Sequence, residues 1–146
     1  MKFFTILLAT TLLLAAPLAQ SRDTKHMFSI QRATESNDFK QKLDPNIRLY
    51  FGKQKHPEKI NYFGQFASNK KTNAFNKTDN YACQWVLLSA LLSLQDRAKR
   101  EGGNAVINIA SYYKKNTVSS ETEYECHAGA VIAGVALIGD VVTLAE

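Results

Sequence analysis

Cys83 and Cys126 are the two cysteines of this chain, and their spacing limits the chemistry that they can do. A reactive disulfide commonly lies in a Cys-x-x-Cys turn, which lowers the pKa of one thiol. Cys83 and Cys126 are far apart in the sequence, which argues against such a redox site. In an oxidising compartment, a separated pair of this kind favours a structural disulfide.

The three histidines, His26, His56 and His127, are the candidate metal ligands. A zinc or copper site needs three or four ligands that converge. His127 follows Cys126 directly, but a cysteine in a disulfide cannot bind a metal. We therefore predict no metal site, and we expect the histidines to lie on the surface or to be partly packed.

Glu121, Glu123 and Glu125 alternate along a predicted strand and would share one face. Paired carboxylates could do acid–base work, but a solvated polar strand face accounts for the same pattern. No serine lies in the sequence context of a nucleophile elbow. The sequence thus predicts no catalytic residue and no cofactor. The alternative is a small enzyme whose catalytic residues follow no recognised motif.

Two lysine pairs could bind an anionic polymer such as nucleic acid, lipopolysaccharide or peptidoglycan. They are Lys70-Lys71 and Lys114-Lys115, and Lys77 could add to the same basic surface. Aromatic residues near them in the sequence could provide stacking platforms: Tyr62, Phe66, Tyr112 and Tyr113. The alternative is a solubilising surface over an aromatic core.

The first 21 residues have the three parts of an export signal. Lys2 is positively charged, residues 3–16 form an apolar run, and Ala19 and Ser21 are the small residues of a cleavage site. We expect cleavage after Ser21, with a cut after Ala19 as the alternative. An uncleaved anchor is the competing interpretation, but the run is shorter than the roughly 20 residues that a spanning helix needs.

The remaining residues, 22–146, are about the length of one domain. Loss of Lys2 lowers the net charge of +5 by one, which favours solubility and weak attraction to anionic envelope material. No cysteine lies near the cleavage site. We therefore expect a periplasmic or secreted protein that is not lipidated and is not inserted in a membrane.

Residues 78–101 are predicted to form one long helix that packs on the core. Thr78 or Asp79 can cap its N-terminus, and Gly102-Gly103 supplies a left-handed stop. Its apolar residues form one wide stripe along the helix, which is the side that would pack on the core. A shorter, weaker helix is expected at residues 33–43.

The other segments predict strands and turns. We expect strands at residues 28–30, 47–51, 60–67 with a bulge at Gly64, 105–113, 122–126, 130–137 and 141–144. Residues 68–77 are predicted to be a polar connection, and Gly139-Asp140 a tight turn. The predicted fold is thus α+β, with one long helix on an antiparallel sheet. Residues 128–145 could instead form a small-residue membrane segment, but Asp140 and the β-branched content argue against it.

The segment from Cys83 to Leu137 resembles the periplasmic domain of the outer-membrane stress-sensor lipoprotein of the Rcs phosphorelay. The matching elements are Cys83-Gln84, Asn104-Ala105-Val106, Cys126, Ala130-Val131 and Gly134-Val135-Ala136-Leu137. This resemblance implies that Cys83 and Cys126 crosslink the helix to the sheet. The second disulfide, the lipid-carrying cysteine and the proline-rich linker of that family have no counterpart, so its signalling role is not implied.

Over its whole length the chain is similar to small exported bacterial proteins of unknown function. The shared runs are Tyr50-Phe51-Gly52, Lys71-Thr72-Asn73, Ala82-Cys83-Gln84-Trp85 and Tyr124-Glu125-Cys126-His127. Such proteins are often labelled as an excinuclease ATPase subunit. That activity is not expected here, because Gly102-Gly103-Asn104 lacks the lysine of a phosphate-binding loop and an exported protein has no ATP supply. We expect a non-enzymatic protein that binds an envelope protein or an anionic polymer.

Overall fold

The computed structural model describes residues 21–146, so all but Ser21 of the predicted signal peptide lies outside the described residues. The elements in chain order are β1 (Thr24–Ser29), α1 (Ile30–Thr34), α2 (Asn37–Lys42), β2 (Arg48–Phe51), β3 (Lys59–Asn73), α3 (Asp79–Glu101), β4 (Ala105–Ser111), a 3-10 helix (Tyr113–Lys115), β5 (Glu123–Ala128) and β6 (Ile132–Leu144). One long helix packs on a mostly antiparallel sheet of six strands, which confirms the predicted α+β fold.

Helix α3 begins and ends as its sequence predicts. The Thr78 hydroxyl accepts a hydrogen bond from the backbone N–H of Tyr81 at 3.2 Å, and Gly102 adopts φ +86°. Asp79 lies in the first turn, whereas Lys99 and Arg100 lie in the last, so both ends complement the helix dipole. These local signals explain why the helix was predictable to within one residue.

Strand β6 is the central strand of the sheet. It pairs with β3 along nearly its whole length, and β5 and β4 pair with it in succession along the opposite edge. Beyond them, β1 pairs with β5, and β2 pairs with β4 in the one parallel pairing of the described sheet. The edge strands are therefore β1, β2 and β3.

The two faces of the sheet have different neighbours. Residues Val135, Leu137 and Val141 of β6 face α3 and belong to the main core. Their alternating neighbours Val142 and Leu144 belong to a second, smaller cluster on the other side. We call this other side, turned away from α3, the outer face.

The predicted turn at Gly139-Asp140 is wrong, because both residues lie inside the continuous strand β6. A Gly-Asp pair is also typical of turns, whereas here Gly139 pairs with Phe66 of β3 and Asp140 with Ile107 of β4, so the strand continues through them. Gly139 is needed for close packing, since a Cβ there would lie 2.6 Å from Val106 Cγ1. Asp140 accepts a hydrogen bond from the Asn108 side chain at 2.8 Å.

The predicted connection at residues 68–77 is also wrong in part, because β3 continues to Asn73. This half of β3 is polar because it forms an edge of the sheet, where exposed lysines oppose unwanted strand pairing. The bulge predicted at Gly64 is present between Tyr62 and Gly64.

Smaller predictions also need correction. The single helix expected at residues 33–43 is two short helices, α1 and α2, separated by Glu35 and Ser36. Ile30 begins α1 instead of ending a strand, because the Ser29 hydroxyl caps the helix by accepting from Arg32 N–H at 3.2 Å. The alternative of a membrane segment at residues 128–145 is replaced by a hairpin turn and β6.

Candidate functional site

The disulfide predicted between Cys83 and Cys126 is present and joins α3 to β5. Both cysteines are fully buried, and their Cα atoms lie 5.9 Å apart. A redox-active sulfur must be reached by its reaction partner, so the burial of this pair suits a structural crosslink. The bond fixes the N-terminal half of α3 to the sheet.

The four lysines of the predicted polyanion site lie in two places. Lys70 and Lys71 are consecutive residues of β3, so their side chains start on opposite faces of the sheet. Lys114 and Lys115 lie in the 3-10 helix, with positive φ of 49° and 63°. A ligand on the outer face would therefore meet Lys71 directly, but not Lys70.

A row of side chains crosses four strands on the outer face. Lys25 in β1 lies opposite His127 in β5. His127 in turn lies opposite Gly134 in β6, and on the other side of β6 Gly134 lies opposite Lys71 in β3. Register partners project from the same face of a sheet. We call these four residues the basic row; Gly134 leaves a gap at its centre.

Within the basic row, His127 is enclosed by aromatic and acidic side chains. The Tyr113 ring stacks on the imidazole with centroids 3.4 Å apart, and its hydroxyl donates to Asp23 at 3.1 Å. His127 Nδ1 lies 3.3 Å from Asp23, and Nε2 lies 3.6 Å from Glu125. Glu125 also forms an ion pair with Lys25 at 3.1 Å.

This histidine cluster holds the outer face together. His127 Nε2 is fully buried, and each ring nitrogen faces a carboxylate, so the imidazole is poorly placed to exchange a proton with an external substrate. Burial, together with the hydrogen bond to Asp23, raises the pKa of the Tyr113 hydroxyl, which keeps it a neutral donor. The cluster thereby fixes the 3-10 helix and the start of the chain to the sheet.

Glu125 differs from the expectation of a solvated strand face. Its side chain is 5% exposed, whereas Glu121 and Glu123 are exposed. Its carboxylate is paired with Lys25 of β1. The pairing of β1 with β5 joins residues distant in the chain, so it leaves no signal in the local alternation. The prediction of a solvated polar face is therefore wrong for Glu125.

A second polar cluster joins the start of the described chain to α3. Arg22 donates to both oxygens of Asp79 at 2.8 and 3.0 Å, and His26 Nε2 lies 2.7 Å from the same carboxylate. Hydrogen bonds from Arg22 and His26 lower the pKa of Asp79 to about 2. Arg22 also donates to the Gly129 carbonyl at 2.9 Å, so this cluster holds β1, α3 and the β5–β6 turn together.

At the same end of the molecule, residues 70–77 and 129–132 lie side by side. We call these two segments the tip. Ala74 N–H donates to the Val131 carbonyl at 2.7 Å, which joins the two segments. Three large apolar side chains of the tip are more than half exposed: Phe75 at 60%, Val131 at 58% and Ile132 at 53%. They line a shallow depression of about 540 Å³ with Lys71, Thr72 and Asn73.

The tip backbone is held by hydrogen bonds, so the apolar side chains are presented on an ordered support. The Asn73 side chain accepts from Phe75 N–H at 2.9 Å, and Lys77 Nζ donates to the Asn73 carbonyl at 3.0 Å. Asn76 completes the turn with φ +58°. Asparagine suits this position because it tolerates the left-handed conformation better than most residues.

Candidate metal ligands do not converge in the part of the chain that the structure describes. No group of three His, Cys, Asp or Glu side chains there could hold a metal ion. His56 bonds to the Pro57 carbonyl at 2.7 Å, away from the partners of His26 and His127. Within residues 21–146, no helix is both long and apolar enough to span a bilayer.

Comparisons with protein-family models, with curated proteins and with solved structures found no match to this chain.

Sequence reasoning missed the tip and the basic row for different reasons. Phe75, Val131 and Ile132 look like ordinary core residues in the sequence, and only their place at the end of the sheet exposes them. Lys25 joins the basic row through its pairing with His127, which is more than 100 positions away in the chain, and Gly134 through its pairing with His127 and Lys71. A glycine within an apolar run was the one local signal of a gap at Gly134.

Proposed function

We propose that this protein is an exported domain of the bacterial cell envelope that acts by binding, without catalysis, and that its binding surface is the tip. The observation that carries this proposal is the exposure of Phe75, Val131 and Ile132 on an ordered backbone. Contiguous apolar patches on soluble proteins commonly mark interaction sites. The lysines beside them keep the surface soluble until a partner covers it.

Export is supported by the signal-like first 21 residues and by the chemistry of the disulfide. We expect the mature N-terminus to be Arg22, which can then make its contacts with Asp79 and Gly129 at the beginning of the domain. N-terminal sequencing of protein from the periplasmic fraction measures this directly. Retention of Met1, with the protein in the membrane pellet, would contradict both cleavage and release.

Photo-crosslinking in living cells tests the binding surface. A benzophenone amino acid replaces Phe75 in one variant and Tyr62 in another, because both are exposed aromatic residues, at 60% and 56%. We expect specific adducts from position 75 and background labelling from position 62. Equal labelling at the two positions would overturn the assignment of binding to the tip.

Polyanion binding is a second candidate function, and the basic row is the observation that favours it. Lys25, His127 and Lys71 project from one face, and Lys114 Nζ lies 5.3 Å from the centre of the Tyr113 ring, which stacks on His127. Lys25 and Lys71 supply positive charge to the row that contains the gap at Gly134, where an anionic group could approach the sheet backbone. Glu125 and Asp23 offset part of this charge, which is why the tip is preferred.

A further inference from the structure

We infer that the tip docks on an anionic lipid bilayer, with Phe75, Val131 and Ile132 in the headgroup region and the tip lysines near lipid phosphates. This inference rests on the proposed function and names the partner of the same surface. Two observations carry it: the charge of the tip and its small apolar area.

The charge of the tip has one sign. Residues 70–77 contain Lys70, Lys71 and Lys77 and no acidic residue, and residues 129–132 contain no charged residue. The nearest acidic group along the chain, Asp79, is already paired with Arg22 and His26. Exposed apolar side chains in segments whose only charged residues are lysines suit the boundary between water and an anionic leaflet.

The tip is a poor surface for a second copy of this chain. A stable protein–protein interface buries about 800 Å² per partner, and three partly exposed side chains offer well below that. Two tips face to face would also bring three lysines from each copy together. A bilayer needs no shape complementarity, and its phosphates would neutralise the lysines instead of repelling them.

Vesicle co-sedimentation of the soluble exported protein tests the inference. Vesicles of phosphatidylethanolamine with phosphatidylglycerol are compared with vesicles of phosphatidylcholine. We expect binding to the anionic vesicles, at least tenfold weaker binding to the neutral ones, and release by high salt, since surface charge attraction is screened. Recovery of the protein in the supernatant of the anionic vesicles at low salt would overturn the inference.

Matched variants locate the contact. The variant Phe75→Ser/Val131→Ser/Ile132→Ser should lose at least tenfold in vesicle binding. The control Ile60→Ser/Tyr62→Ser removes side chains that are equally exposed on β3, at 61% and 56%, and should bind as the wild type does. Equal loss in the control would exclude the tip as the contact. If the triple variant unfolds at a lower temperature, Phe75→Ser alone keeps the test valid.

Two further results separate this inference from the proposed function. Protein adducts at position 75 without vesicle binding would leave the proposed function standing and overturn the bilayer as the partner. A concentration-dependent dimer in light scattering that the triple variant abolishes would replace the bilayer by a second copy. Absence of adducts, vesicle binding and dimers would contradict both proposals.

Discussion

The side of the sheet that faces α3 and the tip are both rich in apolar residues, yet water reaches them very differently. Strand β6 contributes to both regions, since Ile132 is 53% exposed whereas Val135, three positions later, is 1% exposed. The side facing α3 is closed by a helix and a disulfide, and no element of the described chain covers the tip. Stability should therefore reside in the first region and binding in the second.

This difference can be tested by substitutions that change stability and leave binding intact, or change binding and leave stability intact. Burial of apolar surface dominates folding stability, so changes at the α3 side should lower the free energy of unfolding. Exposed residues contribute little to stability, so changes at the exposed side chains of the tip or at the four lysines of the predicted polyanion site should alter binding alone.

The largest effect is expected from Cys83→Ala/Cys126→Ala. The disulfide closes an interval of 43 residues, which corresponds to about 4 kcal/mol in the chain-entropy model. Urea unfolding of the variant and the wild type measures the loss. Peptide mass spectrometry of the non-reduced wild type should find the Cys83–Cys126 crosslink, and two free thiols in periplasmic protein would contradict it.

A smaller effect is expected from Gly139→Ala in β6. The added Cβ would lie 2.6 Å from Val106 Cγ1, and such overpacking costs about 1–3 kcal/mol. Gly134→Ala is the matched control in the same strand, because its nearest neighbour would be 3.6 Å away. Thermal unfolding compares the two variants. Equal midpoints would contradict the close packing of β6 against β4.

The cluster around Asp79 should contribute only about 1 kcal/mol to the free energy of unfolding, because solvent weakens ion pairs that are partly exposed. The pKa of Asp79 is lowered to about 2, from about 3.9 in an unfolded chain. Its stabilisation is therefore complete above pH 4 and is lost as the pH falls towards 2. Asp79→Asn should flatten this part of the curve of stability against pH. The control Asp38→Asn, at an exposed aspartate, should leave the curve unchanged.

The smallest effect on stability, within about 0.5 kcal/mol, is expected from replacing Lys70, Lys71, Lys114 and Lys115 by Gln. If the protein binds polyanions, the variant should show a shallower dependence of log affinity on log salt, because fewer counterions are released. Isotherms with DNA, lipopolysaccharide and peptidoglycan at low salt measure this slope. Flat isotherms for all three polymers in the wild type would exclude polyanion binding.

Substituting the two lysine pairs separately compares the tip, which contains Lys70 and Lys71, with the 3-10 helix, which contains Lys114 and Lys115. Lys114→Gln/Lys115→Gln should weaken polyanion binding and leave vesicle binding intact, because the 3-10 helix lies outside the tip. Lys70→Gln/Lys71→Gln should weaken vesicle binding. Identical effects of the two pairs in both assays would mean that the two regions act as one surface.

Much of the fold was predictable from local signals. Thr78 and Gly102 mark the ends of α3, and the aromatic run with Gly64 marks the bulged half of β3. The sequence-based predictions were wrong where the pairing of distant strands decides whether a segment is a strand or a loop. Residues 68–73 are polar and still form a strand, because β6 supplies their hydrogen-bond partners.

Local sequence therefore determined the α+β class and the limits of α3, because caps, glycine stops and apolar periodicity act over a few residues. The separated cysteines, together with the signal-like leader, were enough to predict the crosslink. Only the tertiary structure decided that Phe75, Val131 and Ile132 are exposed, that Glu125 is buried, and that Lys25 and Lys71 share a face. Those facts depend on which strands pair and on what covers them, and both are set by contacts between residues distant in the chain.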